Sequence, residues 1–378
     1  MISILDTTYR EGKQSYLGYS LPASMVGFAK LLDKIGIRYM EVGYPFGSDI
    51  YLKEFRELLR EDLKIQITVH SALNANNFGR LIKEGVNNIA VSLRFSDISE
   101  QIVDDKIIEL KNIIDHCLKK YGASIRLRIG IEYAFKLPMV HLLRLCKKIS
   151  EIENVERLSF CDTDGTSTPE IITTRLKALN EALPKKVQIE VHLHNDCGLA
   201  STNLYAAYEL FRNGERDLTV DATVGGIGER NGIVSTGDIL SLLYIFEKRA
   251  LERDYSTKYY AELYRYIYVN QAFNRDPLNP MSFAHASGIH IKRFVESGTY
   301  QSIDPISFGQ ATIFIFNEFT SSDVVMIYSK RIFGVEMDRD LASKCASEVR
   351  NLSSKRKGNL TENELISIVK RLLKIDTK

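Results

Sequence analysis

Glu190-Val191-His192-Leu193-His194-Asn195-Asp196 closes an apolar run that begins at Val187. Extended chain repeats every two residues, so Glu190, His192 and His194 share one face while Val191 and Leu193 take the other. Two imidazoles on one strand face can converge on a single metal ion. A carboxylate one step behind them can orient a ligand or move a proton. The chain has only 7 histidines in 378 residues, and two of them on one strand face read as a site rather than as an accident.

Working outward from this strand, similar short β-branched runs predict strands near 3–8, 39–44, 64–70, 88–94, 124–132, 157–163, 187–194 and 218–224. Between them, segments such as 24–35, 50–59 and 171–183 carry apolar residues at helical spacing. Eight strand–helix units in about 250 residues match a closed (β/α)8 TIM barrel better than an open sheet. The turn Asp164-Gly165-Thr166-Ser167-Thr168-Pro169 adds a helix-start signal after the sixth strand. The expected fold is therefore α/β, a barrel over 1–255, followed by a small α-rich C-terminal subdomain. Residues 256–330 would be a linker and subdomain completing the active site, and 331–378 C-terminal helices. Three features mark the exit from the barrel: tyrosines at helical spacing over 259–268, two prolines within 274–280, and an irregular stretch over 283–319. The charged segment 338–374 reads as helices split by a basic, glycine-containing turn near 355–358.

Composition narrows the function classes. Fifty Lys and Arg against 48 Asp and Glu give a net charge of +2, which implies no nucleic-acid partner. Five scattered cysteines without CxxC spacing suggest neither a disulfide framework nor a thiolate zinc site. The N-terminal stretch is not a signal peptide, and no long apolar window suggests a membrane span. A cytoplasmic setting is expected.

In such a barrel, active sites lie at the C-terminal ends of the strands. There the sequence places Asp6–Gln14, His70, Arg126, Arg128 and Glu132, Asp162-Thr163-Asp164, the histidine pair, and the glycine-rich loop Gly225–Gly232. Taken singly, His70 fits a hydrogen-bonded core group, Arg128 with Glu132 an ion pair, and the loop a turn. Together they make a polar cavity too costly to bury unless a metal and a substrate compensate. Glu11, His192 and His194 supply one carboxylate and two imidazoles, a set suited to a divalent ion with open positions. Such an ion could hold a 2-oxo acid. Arg10 beside it could stabilise a developing oxyanion, and Arg128 could fork onto a substrate carboxylate.

The segments DTTYREGKQ (6–14), HLHNDCGLASTN (192–203), GGIGERNG (225–232) and FAHASGIH (283–290) occur in one order. In these the chain resembles the metal-dependent barrel family of homocitrate, isopropylmalate and citramalate synthases and hydroxymethylglutaryl-CoA lyase, leaning toward homocitrate synthases. The resemblance implies Glu11, His192 and His194 as ligands of a divalent ion (Zn, Mn or Mg). It implies Arg10, Gln14 and Glu190 as active-site polar residues, and His70, Arg128, Glu132 and Thr163 around the oxo acid. Gly226, Gly228, Glu229 and Arg230 would form a CoA-binding loop. His290 would be delivered by a subdomain swapped in a homodimer, far from the site of its own chain. The implied reaction condenses acetyl-CoA with a 2-oxo acid and then hydrolyses the thioester. The fused leucine-regulatory domain of isopropylmalate synthases is not expected.

The chain also departs from that pattern. Lys13 replaces a glutamate, Gly130 stands where a serine hydroxyl is usual, and no tyrosine is found near Ile313. The segment after the fourth strand, Phe95-Ser96-Asp97, looks short. Two other readings use the same residues: a metal-dependent aldolase or lyase on a hydroxy acid, and a catalytically silent homologue. Hydroxymethylglutaryl-CoA lyase itself is disfavoured, because its glycine-rich loop carries a cysteine and this one has none.

Overall fold

The computed structural model of the protein describes residues 2–15, 24–95, 100–122, 125–214, 216–260, 262–263, 283–301, 305 and 311–373. Eight parallel strands close into a barrel in chain order: β1 (Ile2–Asp6), β2 (Tyr39–Val42), β3 (Gln66–His70), β4 (Asn88–Leu93), β5 (Arg126–Ile131), β6 (Val155–Asp162), β7 (Gln188–Leu193) and β8 (Leu218–Ala222). Closure comes from β8 pairing β1, with Asp6 opposite Ala222. The expected (β/α)8 architecture is the one adopted, and each expected strand overlaps an observed one.

Alternation along β7 shows why. Ile189, Val191 and Leu193 are fully buried in the large hydrophobic core, whereas Glu190 and His192 meet side chains of other strands inside the barrel. The strands are followed in turn by α1 (Met25–Ile35), α2 (Asp49–Leu58), α3 (Ala75–Lys83), α4 (Glu100–Tyr121), α5 (Met139–Ser150), α6 (Pro169–Ala182), α7 (Ala200–Phe211) and α8 (Thr236–Phe246). Local chemistry sets their ends. Thr168 caps α6 by accepting from the Ile171 amide, and Pro169 takes the first helical position, where a missing N–H is harmless. α1 stops at Gly36 with φ 97°; a Cβ there would lie 2.4 Å from the Asp254 carbonyl oxygen, so only glycine fits.

After α9 (Lys248–Asp254), and beyond Phe283, come β9 (Ala284–His285), α10 (Gly288–Ser297), β10 (Ile313–Phe314), α11 (Ser322–Phe333), α12 (Arg339–Arg356) and α13 (Glu362–Leu373). They build a second hydrophobic core from Ile291, Phe316, Val324, Ala346 and Val369, which draws on residues from both sides of position 330. α12 ends at the expected basic turn, with Lys357 left-handed at φ 51°. Arg350 ties this unit to the barrel: its Nε donates to the Gly47 carbonyl at 2.7 Å and its Nη1 to the Thr320 carbonyl at 2.8 Å. Among the described residues, no helix is long and apolar enough to cross a membrane. The stretch 274–280 and Ser96-Asp97 lie outside the described residues.

Candidate active site

A cavity of about 130 Å³ opens at the C-terminal ends of the strands. Arg10, Glu11 and Gln14 reach it from the turn after β1, His70 from β3, and Ser92 from β4. Arg128, Gly130 and Glu132 come from β5 and its end, Cys161 and Thr163 from β6, and His192 and His194 from β7. Ser287, Ile289, His290 and Tyr300 close it from beyond the barrel.

Ligand atoms of Glu11, His192 and His194 lie within 4.8 Å of one another, and all three residues are buried. His192 Nδ1 is 2.7 Å from Asp221 Oδ2, and His194 Nδ1 is 3.3 Å from the Gly232 carbonyl oxygen. Both partners are pure acceptors, so each Nδ1 carries the proton. In neutral rings the two Nε2 lone pairs then face one another across 3.1 Å. Burial, and then Arg230, hold His194 well below its ordinary pKa, in the neutral form that a ligand requires. Facing lone pairs beside a carboxylate repel unless a cation sits among them. The donor set therefore fits a divalent metal ion.

Glu11 is aimed by the glycine-rich loop. The Glu229 amide donates to Glu11 Oε1 at 3.1 Å, and a Cβ on Gly228 would come within 3.1 Å of Glu11 Cγ. The loop expected to bind CoA, Gly226, Gly228, Glu229 and Arg230, is turned inward here. Gly226 is buried, and the Glu229 and Arg230 side chains are 0% and 3% exposed. Glu229 Oε1 accepts from the Ala286 amide at 2.8 Å and from the Ser287 amide, and lies 3.6 Å from His290 Nδ1. Arg230 pairs with Asp196 through Nε at 2.6 Å and donates to the Thr163 carbonyl at 2.7 Å. The loop splints the metal ligand to the subdomain.

Beneath the cavity lies a buried ionic network. Arg128 donates through Nε to Glu190 Oε1 at 2.7 Å, through Nη1 to Glu41 Oε2 at 2.7 Å, and through Nη2 to Asp221 Oδ2 at 3.0 Å. Arg10 donates to Glu41 Oε1 at 2.7 Å, to Asp221 Oδ2 at 3.3 Å and to Glu11. Burial pushes the Glu41 carboxyl up, but Arg128 and Arg10 outweigh it and hold the group well below the carboxylate range. Asp221 is lowered in the same way, against burial, by His192, Arg10 and Arg128. Glu190 is fully buried between Arg128 and Arg157 and does not line the cavity. It is expected as a catalytic residue, and its carboxylate here faces the guanidiniums of Arg128 and Arg157 under the site.

Other expected residues fall into place around the cavity. His70 Nδ1 lies 3.3 Å from Glu41 Oε1, and Thr163 Oγ1 accepts from the Tyr133 amide at 2.8 Å. Lys13 turns to the subdomain, where its Nζ pairs with Glu318 Oε1 at 2.9 Å. Within this single chain, His290 lies at the chain's own cavity. Tyr300, rather than a residue near Ile313, is the tyrosine beside His290. Its ring stacks on His290 (centroids 4.1 Å apart, 18° between planes), and its hydroxyl donates to Glu132 Oε2 at 2.7 Å. Tyr300 adopts φ 70°, a left-handed conformation uncommon for a non-glycine residue and costly for a bulky one. Sequence reading missed Asp221 and Glu41, although each was a lone acid in an otherwise apolar strand.

The comparisons with known proteins agree with this geometry. The chain is 25% identical to the cytosolic homocitrate synthase isozyme of Saccharomyces cerevisiae, over 97% of this chain and 85% of that protein. It is 28% identical to the mitochondrial homocitrate synthase of Schizosaccharomyces pombe, over 82% and 74%. It is 26% identical to 2-isopropylmalate synthase 2 of Caldanaerobacter subterraneus, over 97% and 94%. The HMG-CoA lyase structure from Bacillus subtilis shares the fold, with a TM-score of 0.54 at 18% identity over 70% of this chain and 92% of that one. With the HMGL-like family model matching residues 1–265, the chain belongs to the HMGL-like family.

Proposed function

We infer that the protein is a metal-dependent acyltransferase that condenses acetyl-CoA with a 2-oxo acid and hydrolyses the resulting thioester. The observation that carries this reading is the pair of Nε2 atoms 3.1 Å apart beside Glu11, with Arg10 held next to it. A divalent ion held by Glu11, His192 and His194, whether zinc, manganese or magnesium, supplies Lewis acidity toward the acceptor's carboxylate and carbonyl oxygens.

The chain's own groups divide the remaining work. Arg10 stays charged because Glu41, Glu11 and Asp221 outweigh its burial, and it faces the oxygen that gains charge when the new C–C bond forms at C2. His290 is oriented by Glu229 on one side and Tyr300 on the other, and it takes the proton leaving the acetyl methyl group. Burial raises the Tyr300 phenol, which keeps it a proton donor anchored on Glu132. Water then cleaves the thioester, and CoA leaves as a free thiol. Four buried cysteines and one exposed, all free, suit a reducing compartment such as the cytoplasm.

Protein loaded with a divalent ion, acetyl-CoA and a panel of 2-oxo acids should release thiol with at least one acceptor. No release with any of them refutes the condensation. The homodimer is part of the same proposal. In a swapped pair, Ser287, His290 and Tyr300 would make across two copies the contacts they make here within one chain. Mixing His290→Ala with His192→Ala protein, with subunit exchange confirmed, restores activity only if the subdomain is exchanged.

A further inference from the structure

Resting on the condensation reading, we propose that the acceptor is a 2-oxo acid with one carboxylate and a short, uncharged substituent, not a dicarboxylate. The acceptor's carboxylate and oxo group belong at Glu11, His192 and His194, on the β1 and β7 side of the barrel. Its substituent then points across the barrel toward β4, β5 and β6, where Ser92, Gly130 and Cys161 form the wall. That wall offers no charge. A Cβ on Gly130 would be 3.2 Å from Ser92 Oγ and 3.8 Å from Cys161 Sγ, and burial raises the Cys161 thiol and keeps it neutral.

The guanidinium of Arg128, which lines the cavity beside this wall, is already engaged. Arg128 meets three carboxylates, those of Glu190, Glu41 and Asp221, and also donates to Ser159 Oγ at 3.3 Å. His70 Nδ1 lies 3.3 Å from Glu41 Oε1. Arg94 lies over the rings of Tyr133 and Tyr300 at 5.1 and 5.0 Å; its Nη1 is buried without a hydrogen-bond partner, but the side chain does not line the cavity. The charges under the site can be set against each other. The carboxylates of Glu11, Glu41, Glu132, Glu190 and Asp221 stand against the guanidiniums of Arg10, Arg94, Arg128 and Arg157, five against four. The balance of −1 becomes +1 with a divalent ion, and one substrate carboxylate neutralises it. A second carboxylate would arrive without a partner, close to Glu132, whose Oε2 already accepts from Tyr300. A buried charge left unpaired is strongly rejected.

The test uses the manganese-loaded protein with two readouts: calorimetric binding of the acceptor alone, and thiol release with acetyl-CoA. The probes are pyruvate, 2-oxobutyrate and 3-methyl-2-oxobutanoate against 2-oxoglutarate and oxaloacetate. The monocarboxylates should bind more tightly and exceed the dicarboxylates by about 100-fold in kcat/KM. Ser92→Lys, which adds a cation to the neutral wall, should shift the ratio toward dicarboxylates by about tenfold or more. Tighter binding and faster turnover of either dicarboxylate by the unaltered protein overturns the proposal while leaving the condensation intact. Absence of thiol release with every acceptor rejects the condensation instead, and the calorimetric order still decides the acceptor class.

Discussion

Replacing Glu190 with glutamine separates a proton-handling residue from a charge-compensating one. Glu190 is fully buried; Oε1 accepts from Arg128 Nε at 2.7 Å, and Oε2 lies 3.3 Å from Arg157 Nη1. Removing one partner of a buried pair costs about 3–5 kcal/mol, because the other charge stays buried. Here Arg128 keeps Glu41 and Asp221, Arg157 keeps the Gln188 oxygen at 3.1 Å, and the new amide keeps one acceptor. The loss should therefore fall at the low end, ~3 kcal/mol. Urea unfolding at neutral pH measures it as a lowered midpoint with an unchanged slope. Metal stoichiometry should be unchanged, since no ligand of the ion is touched, and turnover should fall by less than about tenfold. Stability within ~1 kcal/mol of the parent, together with a loss of turnover of about 100-fold or more, would refute the reasoning and make Glu190 a proton carrier.

Three further outcomes follow from the same geometry. Gly228→Ala pushes a methyl group against Glu11 and should weaken metal binding by about 10- to 100-fold by titration, with little change in melting of the metal-free protein. Tyr300→Phe keeps the stack on His290 but loses the hydrogen bond to Glu132, so turnover should drop by about 100-fold while metal affinity holds. Burial lowers His285 to about 4, so between that value and its ordinary 6.5 the unfolded chain binds a proton that the folded one refuses. Stability therefore falls as pH drops through that window, by about 3 kcal/mol in full, and His285→Gln should flatten the decline in an unfolding series.

The sequence alone determined the barrel and the gathering of Glu11, His192 and His194 at one end of it. Side-chain periodicity is a local property, and it shows in each strand which residues face inward. The rule that active sites lie at strand ends then brings Glu11 toward His192 and His194 without any contact being known. Tertiary structure alone decided which inward-facing charges meet. Asp221 lies opposite His192 because β7 and β8 pair in that register, and Glu41 meets Arg128 across 87 positions of chain. Neither partner can be read from spacing. The same limit applies to the partners of Glu190 and of the 226–230 loop, and to the ion pair that Lys13 makes with Glu318. Periodicity shows which way a side chain points, but the energy of a buried charge depends on what it meets there, and that is settled only when distant strands close the barrel.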